Sequence, residues 1–572
     1  MFIRVKTTPN SPRKSVQIVE SFRVGGKITQ KIVKHIGVAI DDEQLEELKL
    51  LALSIKSKLE LENILPLYTP EEIERQIEIS QNNLKKEIYS DEDYIVNVKD
   101  LIEEGRVITG IHDIYGKMFE DLHLKTIFEN PTRNKSSVSH FKNIVMARIA
   151  APDSKSGSVH MLEENFGISL DLDSVYKMMD KIDDTAISKL NTLAYKETKK
   201  LFNDAIDVIY FDATTIYFES FNEDEGEDAL RKNGYSKDLK FNQPQVVLAL
   251  MVTKEGLPIG YQAFSGDTFD GHTLIPSLHV LREKYNVDNV VYVADSGMFN
   301  KNNLAELEKL EEYNFNYIVG ARIKNMPKNI KEKIQDKSNY KELNSDISIA
   351  NITLDNGRKL IVTHSKKRAR KDKADREKGI KKLREKLANS HSFKSQLSAQ
   401  GFKKYLKLEG NDADRVCDLS ITLSDDKIKE DEAWDGLKGL IVNQGSKLTN
   451  DEILTQYNNL WQVEESFRIT KHDLKIRPVY HWKPSRVKAH IAISFASLLL
   501  VKHLEYRVKL QYKKLSPKAI RDLLLNIQTS IVYDKTKKIK YVIPSKIKED
   551  TKKIYKLMEV PHTTTPYILG KL

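Results

Sequence analysis

From Ile206 to Phe218 the chain reads Ile-Asp-Val-Ile-Tyr-Phe-Asp-Ala-Thr-Thr-Ile-Tyr-Phe, an almost unbroken apolar and β-branched run. Such a run suits a strand covered on both faces, as in the sheet of an α/β domain. Asn289-Val-Val-Tyr-Val-Ala-Asp295 repeats the pattern. Asp212 and Asp295 are expected at the ends of these two strands, and a carboxylate on a buried strand must be paired, protonated or bound to a cation. Either aspartate alone could be a strand-end cap. Two of them on neighbouring strands suit a hard divalent metal ion with oxygen ligands.

The surrounding pattern predicts their neighbourhood. Gln245-Val-Val-Leu-Ala-Leu-Met-Val-Thr and Pro258-Ile-Gly-Tyr-Gln-Ala-Phe read as strands joined by the turn Lys254-Glu-Gly256, which makes three consecutive antiparallel strands. A helix near Thr273–Tyr285, the Asp295 strand, a helix near Asn302–Glu312 and a strand at Phe315–Gly320 follow. The order β-β-β-α-β-α-β is that of a ribonuclease-H-like mixed sheet with flanking helices, whose first and fourth strands are neighbours. Residues 200–324 would form the first part of this α/β core and residues 451–510 its second part. Residues 325–450 read as a mainly β insertion, with β-like pieces at Ile347–Val362 and Arg415–Leu423 around the charged stretch Lys366–Lys386. Residues 1–40 predict a small β domain with a hairpin turn at Arg23-Val-Gly-Gly-Lys27, residues 41–199 a helical region, and residues 511–572 a helical and β tail.

At 572 residues several domains are expected, and 40% hydrophobic with 30% charged residues fits a packed globular chain. Lys and Arg outnumber Asp and Glu by 92 to 82, a formal charge of +10 that leans toward a polyanionic partner. Cys417, the single cysteine, excludes an internal disulfide framework and a multi-cysteine zinc site, and reads as a packing thiol in a reducing cytoplasm. The N-terminal residues lack the apolar core of a signal peptide. The apolar run Ala489–Val501 falls short of the roughly 20 residues that span a bilayer, so a buried helix is expected and no membrane partner. No Gly-Lys-Ser phosphate loop is present, so ATP use is not indicated.

The third carboxylate of such a core belongs on a helix after the insertion. In Tyr457-Asn-Asn-Leu-Trp-Gln-Val-Glu464-Glu-Ser-Phe-Arg468-Ile-Thr-Lys471, counting about 100° per residue from Tyr457 places Glu464 near about −20°, Arg468 near about +20° and Lys471 near about −40°. One polar face therefore carries all four. Leu460, Val463, Phe467 and Leu474 form an apolar flank that can dock on the sheet and bring Glu464 to the strand ends. Glu465 points elsewhere and reads as a solvated or helix-pairing residue.

Tyr210-Phe-Asp212-Ala-Thr-Thr, Val293-Ala-Asp295-Ser-Gly-Met and this helix resemble bacterial insertion-sequence transposases of the DDE class. The helix is similar to the Tyr-x2-Arg-x3-Glu-x6-Lys pattern of one large branch: Tyr457, Glu464 and Lys471 keep its spacing, Leu460 replaces its Arg, and Arg468 is a substitute on the same face. Further resemblance lies in Gly234-Tyr-Ser-Lys-Asp, Gly266-Asp-Thr-Phe-Asp, Trp434-Asp-Gly-Leu-Lys-Gly, Arg477-Pro-Val-Tyr-His-Trp482 and the N-terminal Arg23-Val-Gly-Gly-Lys, so it extends over most of the chain. The resemblance implies a transposase that binds the terminal inverted repeats of an insertion sequence and catalyses metal-dependent cleavage and strand transfer. It implies Asp212, Asp295 and Glu464 as catalytic metal ligands, with Tyr457, Arg468 and Lys471 contacting DNA. Two Mg2+ ions, which Mn2+ can replace, double-stranded DNA as element end and as target, a homodimer in the DNA complex, and a bacterial cytoplasm with association to the nucleoid are the expected cofactors, partners and location. The alternatives are another ribonuclease-H-like nuclease, such as a junction resolvase, and a catalytically retired transposase that represses by binding.

Other features stay outside this reading. The basic stretch from Lys366 to Lys378 could grip a DNA backbone or form a solvated helix with interleaved acids. Asn222–Asp228 reads as a flexible acidic loop. His472, His481 and His490 have no ligand-spaced partners and read as core or surface histidines rather than a zinc site.

Overall fold

The computed structural model describes residues 2–7, 14–24, 27–39, positions scattered between 44 and 56, 91–202, 206–226, 228–235, 242–277, 279, 291–295, 316–355, 357–389, 403–409 and 420–571. The chain divides into two compact units, residues 1–193 with 470–476 and 480–572, and residues 194–469 with 477–479.

In the first unit, strands β1 (Phe2–Thr7), β2 (Lys14–Val24) and β3 (Lys27–Ala39) make an antiparallel sheet of their own. Val24 of β2 pairs with Lys27 of β3, and the expected turn residues Gly25 and Gly26 lie outside the described residues. Strand β4 (Leu101–Ile108) follows, inside a region whose sequence reads as helical. Its few alternating residues are easily lost beside long helical stretches. Helices α1 (Gly110–Asp121), α2 (Lys135–Ala150), α3 (Lys155–Phe166), α4 (Leu172–Asp180) and α5 (Asp184–Lys200) come next. Ser154 caps α3 by accepting from the Gly157 amide at 3.0 Å, and Gly167, at φ +66°, ends it in the left-handed region that glycine tolerates.

The second unit is built on a nine-stranded sheet. Strands β5 (Val208–Tyr217), β6 (Gln245–Thr253) and β7 (Pro258–Ser265) pair antiparallel in sequence order. Strand β8 (Val291–Ala294) lies parallel to β5 on its other side, and β9 (Asn316–Ala321) lies parallel to β8. The first and fourth strands are thus neighbours, as the order of elements predicts. Helix α6 (Lys328–Gln335) precedes β10 (Lys341–Glu342), β11 (Ile347–Thr353) and β12 (Lys359–Ser365). After helix α7 (Lys366–Asn389) come the two-stranded pair β13 (Leu406–Glu409) and β14 (Ser420–Leu423), helix α8 (Asp425–Glu432) and strand β15 (Leu437–Val442).

The strands of segment 325–450 do not stand in a sheet apart from the core. β15 pairs with β9 and β12 pairs with β15, so β10, β11, β12 and β15 extend the core sheet, and only β13 and β14 pair separately. The expected helices near 273–285 and 302–312, and Cys417, lie wholly or mostly outside the described residues.

Helices α9 (Asn450–Asn458) and α10 (Trp461–Arg468) return to this sheet. A capping box between Thr449 and Glu452 starts α9, satisfying backbone donors at both of its ends. The helix expected through Tyr457–Lys471 is instead broken at Asn459–Leu460, and it passes into π-helix at Ile469–Asp473.

The first unit is completed by α11 (Pro484–Gln511), α12 (Pro517–Leu525), strands β16 (Gln528–Asp534) and β17 (Ile539–Pro544), α13 (Glu549–Leu557) and β18 (Tyr567–Lys571). β4 joins β16, β17 and β18 in one sheet. Pro484 at the first turn of α11 suits its missing amide. By length and composition α11 could cross a membrane, yet 94% of its apolar window is buried inside the protein.

Candidate active site

The core sheet has two unlike faces. Phe211, Ala294, Val319 and Ile441 stand in register across β5, β8, β9 and β15, and all belong to one buried apolar cluster. Side chains alternate along a strand, so the next row, Asp212, Asp295, Gly320 and Leu440, lies on the other face. Lys438, two residues before Leu440, shares that face. Asp212 is not at the end of its strand: it sits midway in β5, opposite Leu250 of β6, and is half-buried. Asp295 follows the last residue of β8 and is exposed. The apolar residues that continue beyond Asp212 obscure its position in the sequence.

Helices α9 and α10 cover this face. α9 packs over β8 and β9, and α10 over β5 and β6. The Tyr210 hydroxyl donates to Gln456 Oε1 at 2.9 Å, fixing α9 to the strand that carries Asp212. Of the predicted apolar flank, Val463 and Phe467 are buried in α10 and Leu460 just before it, while Leu474, also buried, falls in the first unit. Glu464 is exposed, whereas Glu465 pairs with Arg468 through bonds of 2.6 and 2.7 Å.

Tyr457 is only 7% exposed, and its hydroxyl donates to Asp295 Oδ1 at 3.2 Å. Burial, followed by the negative charge of Asp295, raises its pKa above the ordinary phenol range. The residue expected on DNA is thus bound to a carboxylate. Lys438 places its ammonium 4.3 Å from the Tyr457 ring centroid. Its pKa is lowered by burial and by Arg368, while Asp295 and Glu464 oppose the shift. Lys438 and Tyr457 thus each lie within electrostatic reach of Asp295, Glu464 and Arg368. Lys438 sits in the Trp434-Asp-Gly-Leu-Lys-Gly motif, but nothing in the sequence marked it as a site residue. Strand pairing alone brings it here.

Asp212 Oδ1 accepts from the Ala213 amide at 2.8 Å. Among the described residues no three His, Cys, Asp or Glu side chains are grouped closely enough to hold a metal ion. The side chains expected to hold a metal, Asp212, Asp295 and Glu464, offer only carboxylate oxygens, the donor chemistry that a hard cation takes. Lys471 lies in the π-helical turn, where the 100° count that aligned it with Glu464 no longer applies.

The family described as Transposase DDE domain matches residues 204–500. The chain belongs to the DDE transposase family. Residues 3–63 match the family described as IS1634 family transposase, N-terminal domain. DDE transposases generally work with divalent metal ions. No curated protein matches the chain. Among solved structures, the Mos1 transposase paired-end complex with left transposon end is 12% identical with a TM-score of 0.14, covering 29% of this chain and 53% of that one. The chain thus spans about half the length of that structure, and a likeness at this score carries no argument.

The features left aside by the sequence reading also find places. The basic stretch is helix α7, but Arg376 within it is buried and bonds both carboxylate oxygens of Asp435, at 2.5 and 2.7 Å. The acidic loop is anchored rather than free, since buried Asp224 accepts from Arg231 Nε at 2.7 Å. His490 and His481 are buried and His472 is exposed.

Proposed function

We propose that the chain binds the terminal inverted repeats of an insertion sequence, cuts DNA at those ends and joins the freed ends to target DNA. One observation carries this: Asp212 and Asp295 come level on adjacent parallel strands, on the face over which the helix bearing Glu464 lies. The strand order, with the first and fourth strands side by side, is that of a ribonuclease-H-like fold and supports the same reading.

Asp212, Asp295 and Glu464 would hold two Mg2+ ions, with Mn2+ a workable substitute. When bound, such a pair activates an attacking oxygen and stabilises the leaving one. The chain's own residues orient the reactants around it. Tyr457 orients the Asp295 carboxylate by donating to Oδ1. Arg468 and Lys471 neutralise backbone phosphates, Arg468 by exchanging Glu465 for DNA. The β1–β3 sheet and helices of the first unit supply end recognition. Two copies pair the two ends in the cytoplasm, on the nucleoid.

A labelled duplex carrying the repeat that flanks the gene tests the proposal. With Mg2+ and a target plasmid, it is expected to be cut at the repeat end and joined to the plasmid. Cleavage of branched junctions without joining would indicate a resolvase, and binding without cleavage a repressor. Either result overturns it.

A further inference from the structure

We propose that Lys438, seconded by Arg368, is the cationic ligand of the scissile phosphodiester, a role that rests on the transposase reading above. Lys438 comes from β15, at the far side of β9 from β8, yet it shares the sheet face of Asp212 and Asp295. Its ammonium lies over the Tyr457 ring, and the hydroxyl of that tyrosine is bonded to Asp295. No ion pair or side-chain hydrogen bond engages the ammonium among the described residues. A half-buried cation without a bonded carboxylate is costly to keep. Beside three carboxylates that recruit divalent cations, the anion it can meet is the substrate.

Helix α7 adds a second, independent observation. Lys366, Lys367, Arg368 and Arg370 crowd its first turns, all exposed, and no acidic residue stands in the first turn. The helix dipole disfavours cations there. The helix stays because it is stapled further along: Arg376 bonds Asp435, and the Gly436 amide donates to Asp372 Oδ2 at 3.0 Å. The same staple ties α7 to the turn that leads into β15 and Lys438. Gly436, at φ +78°, has no room for a side chain, since a Cβ would come 2.7 Å from the Ser365 carbonyl oxygen. One junction therefore sets the start of α7, with Arg368, against the turn that leads into Lys438, an arrangement suited to a phosphate.

The test pairs a protein change with a change in the DNA. The repeat-end duplex is made with either a normal or a neutral methylphosphonate linkage at the scissile position, and binding is measured in EDTA, so that neither metal nor turnover enters. Wild type should bind the methylphosphonate at least about threefold more weakly. Lys438→Met, which keeps the aliphatic stem over Tyr457, should show a penalty below about 1.5-fold, and Lys438→Arg should restore it. Circular dichroism of each variant checks folding, and Lys438→Gln, which also removes the charge and should show the same reduced penalty, carries the comparison should the Met variant not fold. An equal penalty in wild type and Lys438→Met, or no penalty in wild type, overturns the proposal. Cleavage by wild type with Mg2+, run alongside, reports on the transposase reading separately: if it fails while the Lys438-dependent penalty persists, the site binds a phosphodiester that it does not cut.

Discussion

Ionisable groups are set among apolar side chains in two places, with opposite outcomes. In the second unit Asp212 and Asp295 share one sheet face, Glu464 is carried on a helix packed against that sheet, and the three range from half-buried to exposed. In the first unit Arg148, Lys155, His490 and His503 are each less than 5% exposed, around and within α11. They are sealed in and internally used: Arg148 donates to the Leu474 and Lys475 carbonyls at 2.9 and 3.1 Å, and His490 meets Lys155 at 3.3 Å and the Ile476 carbonyl at 3.0 Å. Burial alone therefore does not mark a reactive site. Carboxylates on one sheet face within reach of solvent are the better marker, because a ligand can reach them and add to what the fold supplies.

The sharpest way to break this contrast is to neutralise one carboxylate. Asp212→Asn should abolish cleavage while leaving end binding and the melting temperature nearly unchanged, because a metal ligand is lost without any packing loss. Nicking, gel-shift and melting measurements on one preparation decide it. Loss of folding would class Asp212 with the sealed groups.

Glu464→Gln should be as damaging to cleavage as the Asp212 change, whereas Glu465→Gln should be mild. Glu465 is tied to Arg468 in an exposed pair on one helix, an interaction worth about 0.3–0.5 kcal/mol. A reversed ranking in the nicking assay would show that the other carboxylate faces the strands.

This pair also shows what the sequence makes legible. Apolar periodicity separates Glu464 from Glu465 and predicts the buried flank, because the helix must bury Val463 and Phe467 whatever else it does. The strands at Asp212 and Asp295 are equally plain from their apolar runs. Lys438 was hidden because its place depends on β15 pairing with β9, a contact between segments more than a hundred positions apart. The extension of the core sheet by β11 and β12 escapes for the same reason, since it depends on tertiary pairing rather than on local pattern.

The sealed groups make a prediction of their own with pH. His503 is pushed down to about 3 by burial and by Arg507, and His490 is lowered too. The folded protein keeps these rings neutral while the unfolded chain protonates them near about pH 6.5. Stability is therefore full above that value and falls as the pH drops below it. For His503 the loss at pH 5 is roughly 2 kcal/mol relative to pH 7. The urea midpoint followed by circular dichroism should drop over that range, and His503→Phe should reduce the drop. An unchanged pH dependence in the variant would show that His503 does not contribute.

The smallest effect expected concerns Lys471. If it contacts one phosphate beside the scissile bond, Lys471→Ala should flatten the slope of log affinity against log salt by about 0.9. Cleavage should also slow, because a displaced phosphate loses its in-line geometry. The π-helical turn bears on this directly, since Lys471 follows the point at which the helix widens and its direction is set by that turn rather than by the spacing from Glu464. Were Lys471 committed to a partner within its own helix, its removal would cost at most about half a kcal/mol of stability and leave the slope untouched. Arg468→Ala offers the matched control from the same helix: its guanidinium is held by Glu465, so part of its gain on DNA is offset by the bond that it gives up. Lys471→Ala is expected to flatten the slope at least as much as Arg468→Ala. A larger effect at Arg468 would place the DNA on the α10 side of the turn and remove Lys471 from the contact.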